Sequence, residues 1–352
     1  VLSLEFVVRL VSKLITLLLY ICVPLAVAFG IYSAMNYYFK EPRDPASVAS
    51  VVFDTERAKN FKEICDLLER DGVVRSGFAF KILARMQKKD TQIKAGEYDL
   101  RASMTPQEVL DKMIRGDTIP RKATIREGMT LVDIAKAFED SGIVDRVSFN
   151  RALSDSALLK EEGIKATSFE GYLFPETYNF KRNTQARFVI KVMHDEFKRR
   201  WLPEWNARAG ELGMSRHQIL TLASIIEKES GNFDEQPIIS SVFHNRLKIN
   251  MRLQADPTVI YGIKDFNGNI TKKDLQTETP YNTYVISGLP PGPIANPGMA
   301  AIKAALYPAE TKYLYFVGNG EGRHIFSEDL QRHIEAVNVF QRGLGSRNEK
   351  GS

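Results

Sequence analysis

Apolar and polar positions follow different rhythms along the chain. Between Lys13 and Lys40 the run LITLLLYICVPLAVAFGIYSAMNYYF carries no charge. A bilayer core needs roughly 20 consecutive apolar residues in a helix, so this run is long enough to cross one. Tyr37, Tyr38 and Phe39 close it with the aromatics favoured at a membrane interface. Pro24 is tolerable inside a membrane helix. A cleaved signal peptide would have a shorter apolar region, roughly 7–15 residues, and a small-x-small end. The pattern therefore predicts an uncleaved anchor, with a cytoplasmic stub and one transmembrane helix within residues 1–40.

The next stretch, KEPRDPAS, is polar and contains two prolines, which marks a linker to about residue 49. VVFDTERAKNFKEICDLLERDGVV (Val51–Val74) then reads as strand, polar turn, amphipathic helix and glycine stop. Ala123–Val144 repeats that order, as small β/α modules would. Between them KAGEYDLR reads as a strand. The helix after it opens with Thr105 as N-cap, Pro106 in the first turn and Glu108 completing a capping box.

From about Thr167 the chain becomes rich in helices. EGYLFPETY is an aromatic loop, and helical spacing follows over Gln185–Trp201, where Phe188, Val189, Val192, Met193 and Phe197 recur. Further helices are predicted over Met214–Lys228, Pro237–Leu247 and MAAIKAAL. KYLYFVGNG with GRHIFS reads as a β-hairpin. The fold class expected is α+β.

Composition changes this picture little. The 352 residues suffice for two or three domains, with 44% hydrophobic and 26% charged residues. The net charge of +5 is dispersed, as on a solvated surface, and gives no support for nucleic-acid binding. Arg9 and Lys13 on one side of the apolar run balance Lys40 and Arg43 on the other, so charge does not orient it. Cys22 lies in that run, which leaves Cys65 without an intramolecular partner and best read as a buried thiol. His194, His217, His244, His324 and His333 show no metal-binding spacing, and no nucleotide-binding or serine-hydrolase motif occurs, so no metal or cofactor is expected. The Val1 start and Gly351-Ser352 end are those expected of an edited sequence.

The candidate chemistry lies in LASIIEKESGNF (Leu222–Phe233). On a wheel of about 100° per residue, Glu229 falls between Leu222 and Ile225, Glu227 between Leu220 and Ala223, and Lys228 points away. A carboxyl beside apolar neighbours is harder to ionise, so it can stay protonated near neutral pH and serve as a general acid. Either glutamate could instead pair with a nearby cation or fray into water.

Two resemblances sharpen this reading. IREGMTLVDIAKAF is similar to the opening of a LysM module, a glycan-binding unit. The Glu229-Ser230 pair at a helix end, Gln254 in MRLQADPTVIYG and Tyr281-Asn282 in TPYNTY resemble the motifs of goose-type lysozymes and lytic transglycosylases. SIIEKES, VFHNRLKINMRLQADPTVIYG, YNTY, GLPPGPIANPG and YLYFVGNGEGRHIFS together resemble the YceG-like (MltG) family of endolytic murein transglycosylases, over nearly the whole chain.

The resemblance implies Glu229 as the catalytic residue and Glu227 as a supporting one. Ser230, Asn245, Gln254, Asp256, Tyr261, Tyr281, Asn282, Thr283 and Tyr284 then become candidates to bind sugar rings, acetamido groups and hydroxyls. It implies cleavage of peptidoglycan glycan strands with closure of a 1,6-anhydro ring and no cofactor. It also implies an inner-membrane location with the N-terminus in the cytoplasm, and work near penicillin-binding synthases. The organisation expected is an anchor (1–40), a linker (41–49), a LysM-like module (50–120), a second LysM-like or connecting module (121–166), a lysozyme-like catalytic domain (167–345) and a tail (346–352). Two alternatives stay open. One is a muramidase that hydrolyses the same bond with Glu229 and Asp256, although Asp256 before Pro257 also suits an Asx-type turn. The other is a non-catalytic glycan-binding scaffold.

Overall fold

The computed structural model describes residues 4–264 and 266–342. The expected tail at 346–352 lies outside the described residues. The chain divides into two compact units, Val1–Pro120 and Arg121–Ser352.

The first unit begins with helix α1, Leu4–Phe39. Within its segment Lys13–Phe39 an 18-residue stretch has a mean hydropathy of 2.5 and none of that stretch is buried against protein. So much uncovered apolar surface has no stable place in water, which fits the predicted span. Strand β1 (Ser50–Asp54), helices α2 (Phe61–Arg70) and α3 (Gly77–Met86), strand β2 (Glu97–Arg101) and helix α4 (Pro106–Arg115) follow. β1 and β2 pair antiparallel, with Val52 opposite Asp99. Phe53, Leu68, Phe80, Tyr98, Leu110 and Met113 form the core of this unit. The capping box at Thr105 and Glu108 is present, and α4 stops where Gly116 takes φ 69°, a left-handed turn that costs a glycine little. The buried Tyr98 hydroxyl donates to Lys94 O at 2.6 Å and Met113 O at 3.0 Å, which fastens β2 to the end of α4. Cys65 is buried, and burial pushes its thiol up to about 12, as expected of an inert core cysteine.

The second unit opens with strand β3 (Arg121–Thr124) and helices α5 (Leu131–Asp140), α6 (Arg146–Leu153) and α7 (Ser156–Glu161). Strand β4 (Thr177–Phe180) then returns antiparallel to β3, with Ala123 opposite Tyr178. That pairing carries the β/α module to Phe180, across the boundary expected at residue 166. Its core, including Ile134, Phe138 and Phe149, is continuous with that of the helices that follow.

Those helices are α8 (Ala186–Arg200), α9 (Glu204–Glu211), α10 (Arg216–Glu229), α11 (Gln236–Lys248), α12 (Asp256–Gly262), α13 (Lys272–Gln276) and α14 (Met299–Leu306). Strands β5 (Tyr315–Gly318) and β6 (His324–Ser327) form the expected hairpin, and α15 (Leu330–Val337) ends the unit. On α8 the buried stripe runs through Val189, Met193 and Phe197, and Phe188 lies off it, 55% exposed.

α10 is the central helix. Every residue from Ile219 to Ile226 is buried, with α11 and α14 packed against it. Apolar residues all round a helix mark it as interior. The two polar residues of that run stay paired: Thr221 donates to His217 O at 2.8 Å and Ser224 to Thr221 O at 2.7 Å.

A buried amide ties the loops together. Asn296 is fully buried; its Oδ1 accepts from the Gly171 and Leu173 N–H groups, each at 3.0 Å. Its Nδ2 donates to Met129 O at 3.0 Å and to Glu170 Oε1 at 2.8 Å. Glu170 also accepts from the Leu131 N–H and the Tyr261 hydroxyl, each at 3.2 Å. Removing one partner from such a network leaves the others buried and unpaired. Asn296→Ala is therefore expected to lower the stability of this unit by about 3 kcal/mol. Both tryptophans, Trp201 and Trp205, lie buried in this unit, so a urea titration read by tryptophan emission reports on it alone. An unchanged midpoint would refute the assignment.

Candidate active site

The site begins where α10 stops. Ser230 turns to φ −135°, ψ 125°, while its N–H still reaches Ile226 O at 3.3 Å. Its hydroxyl accepts from the Asn232 N–H at 3.0 Å and donates to Asn232 O at 3.1 Å. This local turn ends the helix with Glu229 as its last residue.

The two glutamates of the motif go to different places. Glu227 Oε2 accepts from the Gly298 N–H at 2.9 Å, in front of α14, and desolvation raises its pKa. Gly128 approaches the Glu227 side chain on the same side. Glu227 thus fastens α10 to the loop before α14.

Glu229 is half-buried and, among the described residues, has neither a hydrogen bond nor an ion pair. Its pKa is pushed up from 4.5 to about 8, first by burial and then by the nearby charge of Asp256, with Arg246 opposing. A desolvated carboxyl without a protein partner is available to a ligand and carries its proton near neutral pH.

Glu229 lies between two lobes of a cleft. One lobe, about 440 Å³, is lined by Arg246, Gln254, Asp256, Tyr284, Tyr315 and His333, among others. The other, about 670 Å³, is lined by Ser230, Gly231, Asn232 and the hairpin turn through Gly320, Glu321, Gly322 and Arg323. Glu229, Gly318 and His324 line both.

The wall opposite Glu229 is built from the chain around Gln254 and Thr283. Gln254 has φ 49°, uncommon for a residue with a side chain, and its N–H donates to Thr283 O at 3.1 Å. Thr283 is fully buried: its hydroxyl accepts from the Ala255 N–H at 2.9 Å and shares a 2.8 Å bond with the Thr258 hydroxyl. Asn282 is equally structural. Its Nδ2 donates to Asp274 O, Leu275 O and Thr277 O, and its Oδ1 accepts from the Tyr284 N–H at 2.9 Å. These bonds present Tyr284, whose hydroxyl donates to Asp256 Oδ1 at 2.6 Å. Asp256 opens α12 without capping it, so its carboxylate serves Tyr284 and the cleft rather than an Asx-type turn.

Of the residues singled out from sequence, Ser230, Gln254, Asp256 and Tyr284 line the cleft beside Glu229. Asn282 and Thr283 stand behind its wall. Asn245 donates to Thr311 O at 2.9 Å and Tyr313 O at 3.0 Å, which positions the approach to β5. Tyr261 packs on Tyr281 with ring centroids 4.8 Å apart and donates to Glu170. Tyr281 lines a separate cavity of about 670 Å³ with Glu170, Tyr172 and His217.

The motif analysis assigned no role to Arg246, Tyr315, His324 or His333. Arg246 is buried on α11, donating to Leu314 O and Leu253 O, each at 2.7 Å. Its signal was present: it follows Ile239 and Phe243 at helical spacing, a cation on an apolar stripe. His324 had no such signal, because the hairpin alone carries it to the cleft. Among the described residues no group of three or more His, Cys, Asp and Glu is placed to hold a metal ion.

Comparison with known proteins agrees with this architecture. The chain is 32% identical to an endolytic murein transglycosylase of Bacillus subtilis (strain 168) over 327 residues, 88% of this chain and 89% of that protein. It is 29% identical to an endolytic murein transglycosylase of Streptococcus pneumoniae serotype 2 (strain D39), covering 84% of this chain and 59% of that longer protein. The 2.6 Å crystal structure of a yceG-like protein from Listeria monocytogenes superposes with a TM-score of 0.57 at 33% identity, covering 82% of this chain and 99% of the other. The profile of the YceG-like family matches residues 53–339, and the chain belongs to that family.

Proposed function

We propose that this protein is a membrane-anchored lytic transglycosylase that cuts peptidoglycan glycan strands internally, at the β-1,4 bond between N-acetylmuramic acid and N-acetylglucosamine. The observation that carries the reading is Glu229: half-buried, unpartnered, held protonated and placed between the two lobes of a cleft. The relatives named endolytic murein transglycosylase support it.

In this reading Glu229 donates its proton to the glycosidic oxygen as that bond breaks. Positive charge develops on the muramic acid ring, and the carboxylate of Asp256 stabilises it across the cleft. Glu229, now ionised, takes the proton of the 6-hydroxyl while that oxygen closes on C1. The acid is restored, a 1,6-anhydro end forms, and no water is consumed. One group can act as acid and then base when its pKa lies near the working pH.

The first unit would present the strand. Its β1–α2–α3–β2 order supports a LysM-like glycan-binding module. Because the substrate lies outside the cytoplasmic membrane, α1 would run with its N-terminus in the cytoplasm, and penicillin-binding synthases would be neighbours there. A second reading rests on Asp256: in the same cleft as Glu229, it could activate a water and make the enzyme a muramidase.

Full-length protein in detergent, incubated with purified peptidoglycan and read by mass spectrometry, should yield anhydro-muramic ends. Glu229→Gln should lower the rate by about 10²–10⁴-fold. Reducing ends, one water heavier, would favour the muramidase, and an unaffected Glu229→Gln would remove Glu229 from the reaction.

The pH dependence follows from the same carboxyl. Its pKa is raised in the fold, so kcat/KM should fall on the alkaline side with a midpoint of about 8. The protonated form is also the one the fold prefers. Its stabilising effect is complete below 4.5 and lost as pH rises through about 8. Glu229→Gln should therefore melt higher than the parent at alkaline pH, with the gain disappearing under acid conditions. A gain independent of pH would contradict the assignment.

A further inference from the structure

Glu229 and His324 are the titratable side chains common to both lobes of the cleft among the described residues. A bond cut between the lobes must therefore pass both. His324 is held on several sides. Its Nδ1 lies 2.8 Å from Glu235 Oε2, and its backbone N–H donates to Glu235 Oε1 at 3.2 Å. Its ring meets Phe316 edge-on at 5.4 Å and tilts against Phe326 at 6.2 Å.

Glu235 stands at the N-terminus of α11, where a side chain ordinarily caps the helix. It makes no cap bond there and turns to the histidine instead. A carboxylate only accepts, so the proton on this bond belongs to Nδ1. When the ring is neutral Nε2 is then a lone-pair acceptor, and among the described residues nothing bonds to it. The side chain is 16% exposed and lines both lobes, and Nε2 is its polar atom without a protein partner among the described residues.

We infer that His324 contacts the substrate, its Nε2 accepting a hydrogen bond from a sugar O–H or acetamido N–H beside the scissile bond, and that Glu235 is its positioning residue. The inference rests on the proposed glycan cleft and names a specific contact within it. No covalent step is added: His324 holds the sugar that bridges the lobes, and the proton transfers stay with Glu229.

Two amide substitutions separate contact from clamp. In His324→Asn the amide nitrogen replaces Nδ1 and can still donate to Glu235, but nothing replaces Nε2. In His324→Gln the amide reaches the position of Nε2 and the bond to Glu235 is lost. Full-length parent and variants in detergent would be assayed for kcat and KM on purified glycan strands, with unfolding followed by tryptophan emission. His324→Asn should lose about ten-fold or more in kcat/KM at an unchanged unfolding midpoint, and His324→Gln should recover part of it. Glu235→Gln, whose carbonyl still accepts from Nδ1, should stay near the parent, while Glu235→Ala should fall towards His324→Asn. Parental turnover in His324→Asn would overturn the inference and leave His324 a clamp of the hairpin. If the parent makes reducing ends, the transglycosylase reading falls and this ranking of variants still stands. A parent that cleaves no glycan overturns both.

Discussion

A carboxyl group at the end of a helix whose middle, Ile219 to Ile226, is entirely buried is the constraint around which the C-terminal unit is arranged. Backbone bonding holds α10 together through the interior, and its last turn delivers Glu227 and Glu229 where water is scarce. A buried carboxylate must find donors or give up its charge. Both solutions occur, two residues apart. Glu227 receives the Gly298 N–H and fastens α14 to α10. Glu229 receives no donor and faces the charge of Asp256, so it keeps its proton.

The surroundings of Glu229 are held by bonds that never touch it. Arg246 lies inside α11 with its donors on the carbonyls of Leu253 and Leu314, so it draws together the segment before α12 and the start of the hairpin. Thr258, Thr283 and Asn282 hold the opposite wall and aim Tyr284 at Asp256. Glu235 holds His324 on the hairpin. Such supporting bonds keep a cleft open and its groups in place before a ligand arrives, which is the preorganisation that catalysis by charge and proton transfer needs.

The arrangement trades stability for reactivity. A glutamate left unpaired in a desolvated place weakens the fold once it ionises, and Asp256 adds to that cost. Glu170 shows the other outcome. It too is buried and pushed up, to about 7, but the Leu131 N–H, Tyr261 and Asn296 surround it with donors. It serves as a cross-link among loops, whereas Glu229 stays available.

What the chain specified locally was legible from sequence. The uncharged run after Lys13, the capping box at Thr105, the helical spacing of α8, α10 and α11 and the hairpin near Gly318 all depend on neighbours a few residues away. The two glutamates at the end of an apolar helix could be found in the same way. The resemblance pointed to Glu229, and the tertiary structure supplies the physical difference between the two, because the Gly298 N–H and Asp256 come from distant parts of the chain. For the same reason only the fold could move Tyr281 to another cavity and Tyr261 onto Glu170, set Asn282 and Thr283 behind the wall, carry β4 back to β3 and bring His324 to the cleft beside Glu229. Periodicity records which face of an element is buried. Which atoms meet on that face depends on long-range packing and on where each buried polar group finds its partner.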